Sequence, residues 1–369
     1  MSPVQIRAGP PLVPFVLKNK KGFSTMEEKI KKLRKLLEEK DLDTMLLFNG
    51  RGPFCDPTFF YFTNLLGFEN SVAVLGDTNT VYASCLDVPR AKKGTWVKDV
   101  RELKMENVFE TLAKDVKTKR VGVNYDFISA NLRANIERAG FTLVDLYNEL
   151  WEMRAIKTSE EIKQLEKSCD LTMKLFNKIN TEKTERQIAA DLAYEVTKNG
   201  AKFAFDPVIA YDANSAAPHT SISNTTGETV LLVNIGVLCN GYNSDITRTF
   251  KLKEDIELNS VYKTVQEAHD LAIGAIKPGV RAADIDKIVR NRLKSDNYKL
   301  MHLTGHGVGV LMYERPHLIE SSEEVLKEGM VFTIEPGIYL EGKFGVRIED
   351  MIVVTNDGCR ILSRDTKTF

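Results

Sequence analysis

The chain lacks an excess of charge of either sign, its 51 lysines and arginines being matched by 51 aspartates and glutamates. No broad positive field is then available to hold nucleic acid or an anionic membrane, so we expect neither as a partner, and any ligand must be argued from a site. Cysteine is sparse. The five, Cys55, Cys85, Cys169, Cys239 and Cys359, are odd in number and widely spaced with no Cys-x-x-Cys pair. That argues against a disulfide scaffold or a zinc ribbon and fits a reducing compartment. We expect buried small hydrophobes at these positions and a cytoplasmic protein. Long hydrophobic runs are missing as well: the stretch from Leu12 to Leu17 is interrupted by Pro14 and is too short for a signal segment or a membrane span.

What is present is ordinary globular composition, 43% hydrophobic and 28% charged over 369 residues, enough for two domains with cores of their own. Prolines at 3, 10, 11 and 14 exclude a helix from the opening, and residues 1–23 read as an extended tail. From Ser24, an N-cap candidate, Ile30, Leu33, Leu36 and Leu37 recur at helical spacing before an apolar strand from Thr44 to Phe48. Strands at Ser71 to Leu75, Thr80 to Ala83 and Arg120 to Val123 alternate with helices at Met105 to Val116 and Ala130 to Ala139, giving an α/β domain over residues 24–155. Residues 156–369 repeat one order, two helices followed by strands. The first half reads helices at Ser159 to Ile179 and Glu185 to Lys198, then strands at Pro207 to Ala210 and Thr229 to Phe250; the second reads helices at Leu258 to Ile276 and Ala283 to Ser295, then strands at His302 to Met312 and Met330 to Val354. This predicts a duplicated α+β unit with pseudo-twofold symmetry and ligands collected where its sheets meet.

Asn240-Gly241 is the preferred type I′ dipeptide between apolar-rich strands and predicts a two-residue hairpin with Cys239 facing Tyr242. Thr247 then falls opposite Asn234. Asn234 and Asp245 become diagonal neighbours about 7–8 Å apart at the backbone, able to converge at their tips. From this stretch alone an exposed polar face is the plainer reading. His306 stands among Gly305, Gly307 and Gly309, where backbone and ligand can approach closely. Glu335 and Glu349 each interrupt an apolar strand, and buried carboxylates are costly unless paired or bound to a metal. For either glutamate alone a salt bridge, for instance with Arg347, is the plainer reading. For both to face one way, the connection through Glu341, Gly342, Lys343 and Phe344 must hold an odd loop or a bulge. Together Asn234, Asp245, His306, Glu335 and Glu349 form an oxygen-rich set with one imidazole, which suits Mn, Fe, Co or Zn; two such ions about 3.5–4 Å apart would polarise a carbonyl.

The order Asn-x-Gly, Ser-Asp-Ile-Thr-Arg-Thr, Gly-His-Gly-Val-Gly, Ile-Glu-Pro-Gly-Ile-Tyr and Val-Arg-Ile-Glu-Asp, with Asp212 to His219 upstream, resembles the pita-bread metallopeptidase family, in particular Xaa-Pro aminopeptidases and prolidases. The resemblance runs from about residue 27 to 365. It implies a creatinase-like N-terminal domain, a pita-bread catalytic domain, a homodimer, a divalent metal and a short peptide substrate. It also implies metal ligands at Asn234, Asp245, His306, Glu335 and Glu349, with Glu335 as general base and His219 as a catalytic and substrate-binding histidine; Arg347 reads equally as a substrate contact or as a structural ion pair with Glu349. Two positions depart from the family. Its first metal-binding aspartate is Asn234 here, and the histidine of its His-Glu pair is Tyr313. A neutral amide leaves three carboxylates against the four positive charges of two divalent ions, so one tight ion or none is expected, and a second is doubtful. Tyr313 can hydrogen-bond a carbonyl but cannot shuttle protons near neutral pH. His317, four residues on, reads as an ordinary surface-loop histidine. A pseudo-peptidase serving as an interaction module, and a metal-free C–N hydrolase of the creatinase kind, remain as alternatives; the four retained ligands with His219 weigh against the first, and the three retained carboxylates against the second.

Overall fold

The computed structural model describes residues 20–52 and 55–364, so most of the expected tail lies outside them. The chain divides into two compact units between Leu150 and Trp151. Among the described residues no helix is long and apolar enough to cross a membrane.

The first unit is an α/β layer structure. In chain order it holds α1 (Lys20–Glu39), β1 (Thr44–Asn49), α2 (Pro57–Thr63), β2 (Ser71–Gly76), β3 (Thr80–Ala83), α3 (Val88–Gly94), β4 (Asp99–Glu102), α4 (Val108–Asp115), β5 (Arg120–Val123), α5 (Ala130–Arg138) and β6 (Thr142–Asp145). The sheet runs β4-β3-β2-β1-β5-β6, with β1 antiparallel to β2 and parallel to β5. Every residue of β1 and β2 is buried, as expected where a sheet is covered on both faces. Leu46, Val74, Tyr82, Leu112, Val121 and Ile136 form one core. Helix α1 begins at Lys20, one turn before Ser24, so Ser24 is a helical residue and not its N-cap.

The division falls within α6 (Tyr147–Ala155). The second unit continues with α7 (Ser159–Phe176), α8 (Glu185–Lys198), β7 (Lys202–Phe203), β8 (Val208–Tyr211), β9 (Val230–Ile235), β10 (Val237–Cys239), β11 (Tyr242–Asn243) and β12 (Ile246–Lys251). The second half follows with α9 (Ile256–Ala275), α10 (Ala282–Ser295), β13 (Gly305–Gly307), β14 (Glu314–Leu318), β15 (Val331–Ile334), β16 (Gly337–Leu340), β17 (Phe344–Arg347), β18 (Asp350–Val354) and β19 (Cys359–Ile361). Two helices precede an antiparallel sheet in each half: β12-β9-β8 in the first and β14-β13-β15-β18-β19 in the second. The helices start where the sequence supplies caps. Thr158 with Glu161 and Thr184 with Gln187 form reciprocal capping boxes for α7 and α8, and Asp255 accepts from the Leu258 N–H at the start of α9.

Of the cysteines only Cys169 is buried; Cys85 is exposed and the other three are intermediate, all of them free. Cys85 stands in the turn after β3, where the neighbouring Leu86 is exposed as well, so the expectation of buried hydrophobes fails there. The strand expected from His302 to Met312 is also shorter. Only Gly305–Gly307 pairs, because the chain turns back after Gly309, whose N–H bonds the Leu311 carbonyl at 2.8 Å.

A buried charge cluster fixes that turn. Glu314 takes Lys157 Nζ at 3.1 Å and Arg154 Nε at 3.4 Å, all three side chains being no more than 2% exposed. Its Oε1 also accepts the Leu311 N–H. Removing one member of such a cluster leaves uncompensated buried charge. Glu314→Ala is therefore expected to lower unfolding stability by about 3–5 kcal/mol, measured by urea titration; a loss below about 1 kcal/mol would mean that water enters and solvates the two cations.

Candidate metal centre

The hairpin at Asn240-Gly241 forms in the expected register: Cys239 pairs Tyr242, Thr247 pairs Asn234, and both turn residues have positive φ, 52° and 84°. Asn234 and Asp245 do converge. Asn234 Nδ2 donates to Asp245 Oδ1 at 2.8 Å, to Glu349 Oε2 at 3.0 Å and to the Ile246 carbonyl at 3.2 Å. With three acceptors around that atom, the amide turns its hydrogens, and not its oxygen, toward the carboxylates.

The second half delivers its glutamates through one long hairpin. Ile334 pairs Asp350, so Glu335 and Glu349, one residue beyond, stand opposite each other on the same face. The same register resumes at Gly337 and Arg347 and closes over the three residues between Leu340 and Phe344, the odd loop that the alternation required. Glu349 is further tied to β12 by the Thr247 hydroxyl at 2.6 Å. His306, on β13, holds its Nδ1 3.1 Å from the Gly307 carbonyl and directs Nε2 to 3.6 Å from both Asp245 Oδ2 and Glu335 Oε1. Thr333 braces the pair, accepting the His306 N–H and bonding Glu335 Oε1. Glycine at 305 is required because a Cβ there would meet the Thr333 carbonyl at 1.9 Å.

Electrostatics mark the centre as short of positive charge. Burial pushes the Glu349 carboxyl well above the usual carboxylate range, and repulsion from Asp245 and Glu335 pushes it further. Glu335 is raised by burial too, with His306 and Arg347 partly offsetting it. Burial opposes a charge on His306, but the carboxylates of Asp245 and Glu335 outweigh it and raise the imidazole. Atoms of Asp245, His306 and Glu349 lie within 4.8 Å of one another, so these residues fit one divalent cation, with Glu335 beside them. Asn234 Nδ2 lies against both Asp245 and Glu349, so position 234 offers the centre an N–H pair in place of a further carboxylate.

Around this centre, Tyr313 is 42% exposed and stacks on the His306 ring at 4.6 Å between centroids. His317 is not a surface-loop residue: it pairs His306 across β13 and β14 and stacks on the other side of Tyr313 at 5.0 Å. Arg347 makes no ion pair with Glu349 among the described residues. Its Nε donates to Thr247 Oγ1 at 3.0 Å and its Nη1 to the Tyr339 hydroxyl at 2.8 Å, so it bonds to Glu349 through Thr247 while its charge still favours the Glu349 carboxylate. Tyr339 in turn meets His302 Nε2 at 2.9 Å, and burial holds His302 down at about 4, so that it is neutral near pH 7. His219 is exposed in the loop after Tyr211 and acts electrostatically on His302. Sequence reasoning missed Thr247, Thr333, Tyr339 and His302. The alternation that paired Asp245 with Thr247 on one face already held the signal for Thr247.

Residues 160–356 match the profile of metallopeptidase family M24, and residues 29–156 that of the creatinase/prolidase N-terminal domain. The Xaa-Pro dipeptidase of Pyrococcus furiosus is 34% identical over 353 residues, 92% of this chain and 98% of that protein. Among solved structures, the prolidase of Pyrococcus horikoshii superposes with a TM-score of 0.84 at 31% identity, covering 92% of this chain and 99% of the other. The X-Pro aminopeptidase of Thermotoga maritima gives 0.82 at 30% identity, covering 88% and 96%.

Because Glu335 and Glu349 are raised, both hold protons more tightly than free carboxyls do, and protons compete with a cation for the centre. Ion affinity should therefore rise with pH through the range where these groups titrate. Calorimetry in buffers of different ionisation enthalpy should record net proton release; binding without release would contradict this electrostatic picture.

Proposed function

Since this chain belongs to metallopeptidase family M24, with a creatinase-like N-terminal domain ahead of a pita-bread domain, we propose that it hydrolyses the Xaa-Pro bond of short peptides, dipeptides foremost, at a centre holding one divalent ion. The observation that carries the reading is the convergence of Asp245, His306, Glu335 and Glu349 in one buried space. The relatives named Xaa-Pro dipeptidase, matched over nearly their whole length, support the substrate class.

A divalent ion bound there supplies Lewis-acid polarisation of the scissile carbonyl and acidifies water. Glu335 is the general base: its carboxylate, braced by Thr333, takes the proton of the attacking water and returns it to the leaving proline nitrogen. Tyr313 donates a hydrogen bond to the carbonyl oxygen as charge develops there. Burial and the nearby Glu335 push its phenol up, so the hydroxyl keeps its proton at neutral pH and acts as a donor only. His219, exposed in its loop, is assigned with Tyr313 to orienting the carbonyl of the peptide. Arg347 is better assigned to holding Thr247 and Tyr339 than to direct substrate contact, because its Nε and Nη1 are engaged and it is 5% exposed.

Loss of the family aspartate and histidine favours one second reading, an interaction module without catalysis, and a single assay separates the two. Protein loaded with Mn²⁺ or Co²⁺ should retain one ion per chain by elemental analysis and cleave an Xaa-Pro dipeptide, and Glu335→Gln should lower kcat by about 10³-fold. A chain with its ion bound but inert toward every Xaa-Pro peptide would establish the interaction module instead.

A further inference from the structure

Glu185 is the first residue of α8 and is fully buried, yet among the described residues no lysine, arginine or histidine pairs with it. An isolated buried carboxylate is costly unless N–H groups take up its charge. Here they do. Its Oε1 accepts from the Tyr211 N–H at 2.8 Å and Asn214 Nδ2 at 2.9 Å, and its Oε2 from Asn214 Nδ2 at 2.9 Å and the Ser223 N–H at 2.6 Å. The backbone at the same helix terminus works in the opposite sense: the Glu185 and Arg186 N–H groups donate to the carbonyls of Thr225 and Ser223, each at 3.1 Å.

These contacts grip both limbs of one loop. Tyr211 and Asn214 belong to its rising limb, Ser223 and Thr225 to its descending limb, and Asn214 also accepts from the Thr220 hydroxyl. Below, the Asp212 carboxylate closes the base by accepting the N–H groups of Glu228, Thr229 and Val230 at 2.9 Å. Ser215 fastens the rising limb to β17 through the Gly345 N–H at 2.8 Å. His219 stands at the exposed crown between the two gripped limbs, on the loop that Ser215 anchors to β17, the strand whose Arg347 bonds Thr247 and Tyr339 beside the centre.

We propose that Glu185 is a positioning residue for hydrolysis, joining the two limbs of the Tyr211–Ser223 loop so that the His219 imidazole is held over the centre. The inference rests on the reading that His219 meets the peptide. A carboxylate suits the task where an amide does not, because Glu185→Gln would turn an NH2 group toward the Ser223 or Tyr211 N–H and push one limb away.

The test is a double-mutant cycle on the ion-loaded full chain with an Xaa-Pro dipeptide. Glu185→Gln should lower kcat by about 10- to 100-fold, the scale of a small misplacement of a catalytic group, with ion content unchanged. In a His219→Ala background the same substitution should have no further effect. An unaltered kcat in Glu185→Gln, or an equal fall with and without His219, would overturn the proposal and leave Glu185 a purely structural residue. His219→Ala without effect would overturn the role given to His219 itself, and this inference with it, while leaving the hydrolase reading intact. Should Glu185→Gln fail to fold, Asn214→Ala, which removes the amide joining Glu185 to the loop, goes through the same cycle with the same expected outcomes.

Discussion

The amide of Asn234 is hydrogen-bonded to Asp245 and Glu349 at once, and the chemistry of the centre depends on that contact. Three carboxylates and one imidazole share a space from which water is nearly excluded. Such a group repels itself unless protons or cations are supplied. Asn234 supplies only the partial positive charge of an N–H pair, shared between Asp245 and Glu349. The remaining deficit is concentrated where His306, Asp245, Glu349 and Glu335 meet.

The duplicated α+β unit builds this arrangement by bringing together sheets that are distant in sequence. Asn234 and Asp245 come from a two-residue hairpin in the first half, Glu335 and Glu349 from a three-residue hairpin in the second, and the Thr247–Glu349 contact joins the halves. The first hairpin uses positive φ at Asn240 and Gly241. The second uses an odd loop to bring both glutamates to one face. Behind the centre, the Arg154–Lys157–Glu314 cluster fixes the turn that presents Tyr313. Tyr313 is thus held by ring stacking on both His306 and His317.

Much of this was legible in the sequence where local chemistry decides local geometry. Asn240-Gly241 gave the turn and its register, alternation gave the need for an odd loop, and the motif order named the five residues that the fold brings together. Long-range contacts were not legible in the same way. Nothing in the pattern around His317 announces that it pairs with His306, since the register depends on where the chain turns after Gly309. Nor does Arg347, one residue from Ile348 and two from Glu349, reveal that its guanidinium bonds Thr247 and Tyr339 instead of the glutamate. The short helices α2 and α3, of seven residues each, are held by tertiary packing more than by propensity, and they were missed for that reason.

The central claim is that the Asn234 amide stands where a cation would, so that the centre is mononuclear. Electron paramagnetic resonance of the Mn²⁺-saturated protein tests it most directly, because two ions sharing carboxylate ligands couple their spins and one ion does not. The account predicts the spectrum of an isolated ion for this chain and a coupled spectrum for Asn234→Asp. A coupled spectrum from the unaltered chain would show that the amide yields its place to a second ion, and would contradict the account.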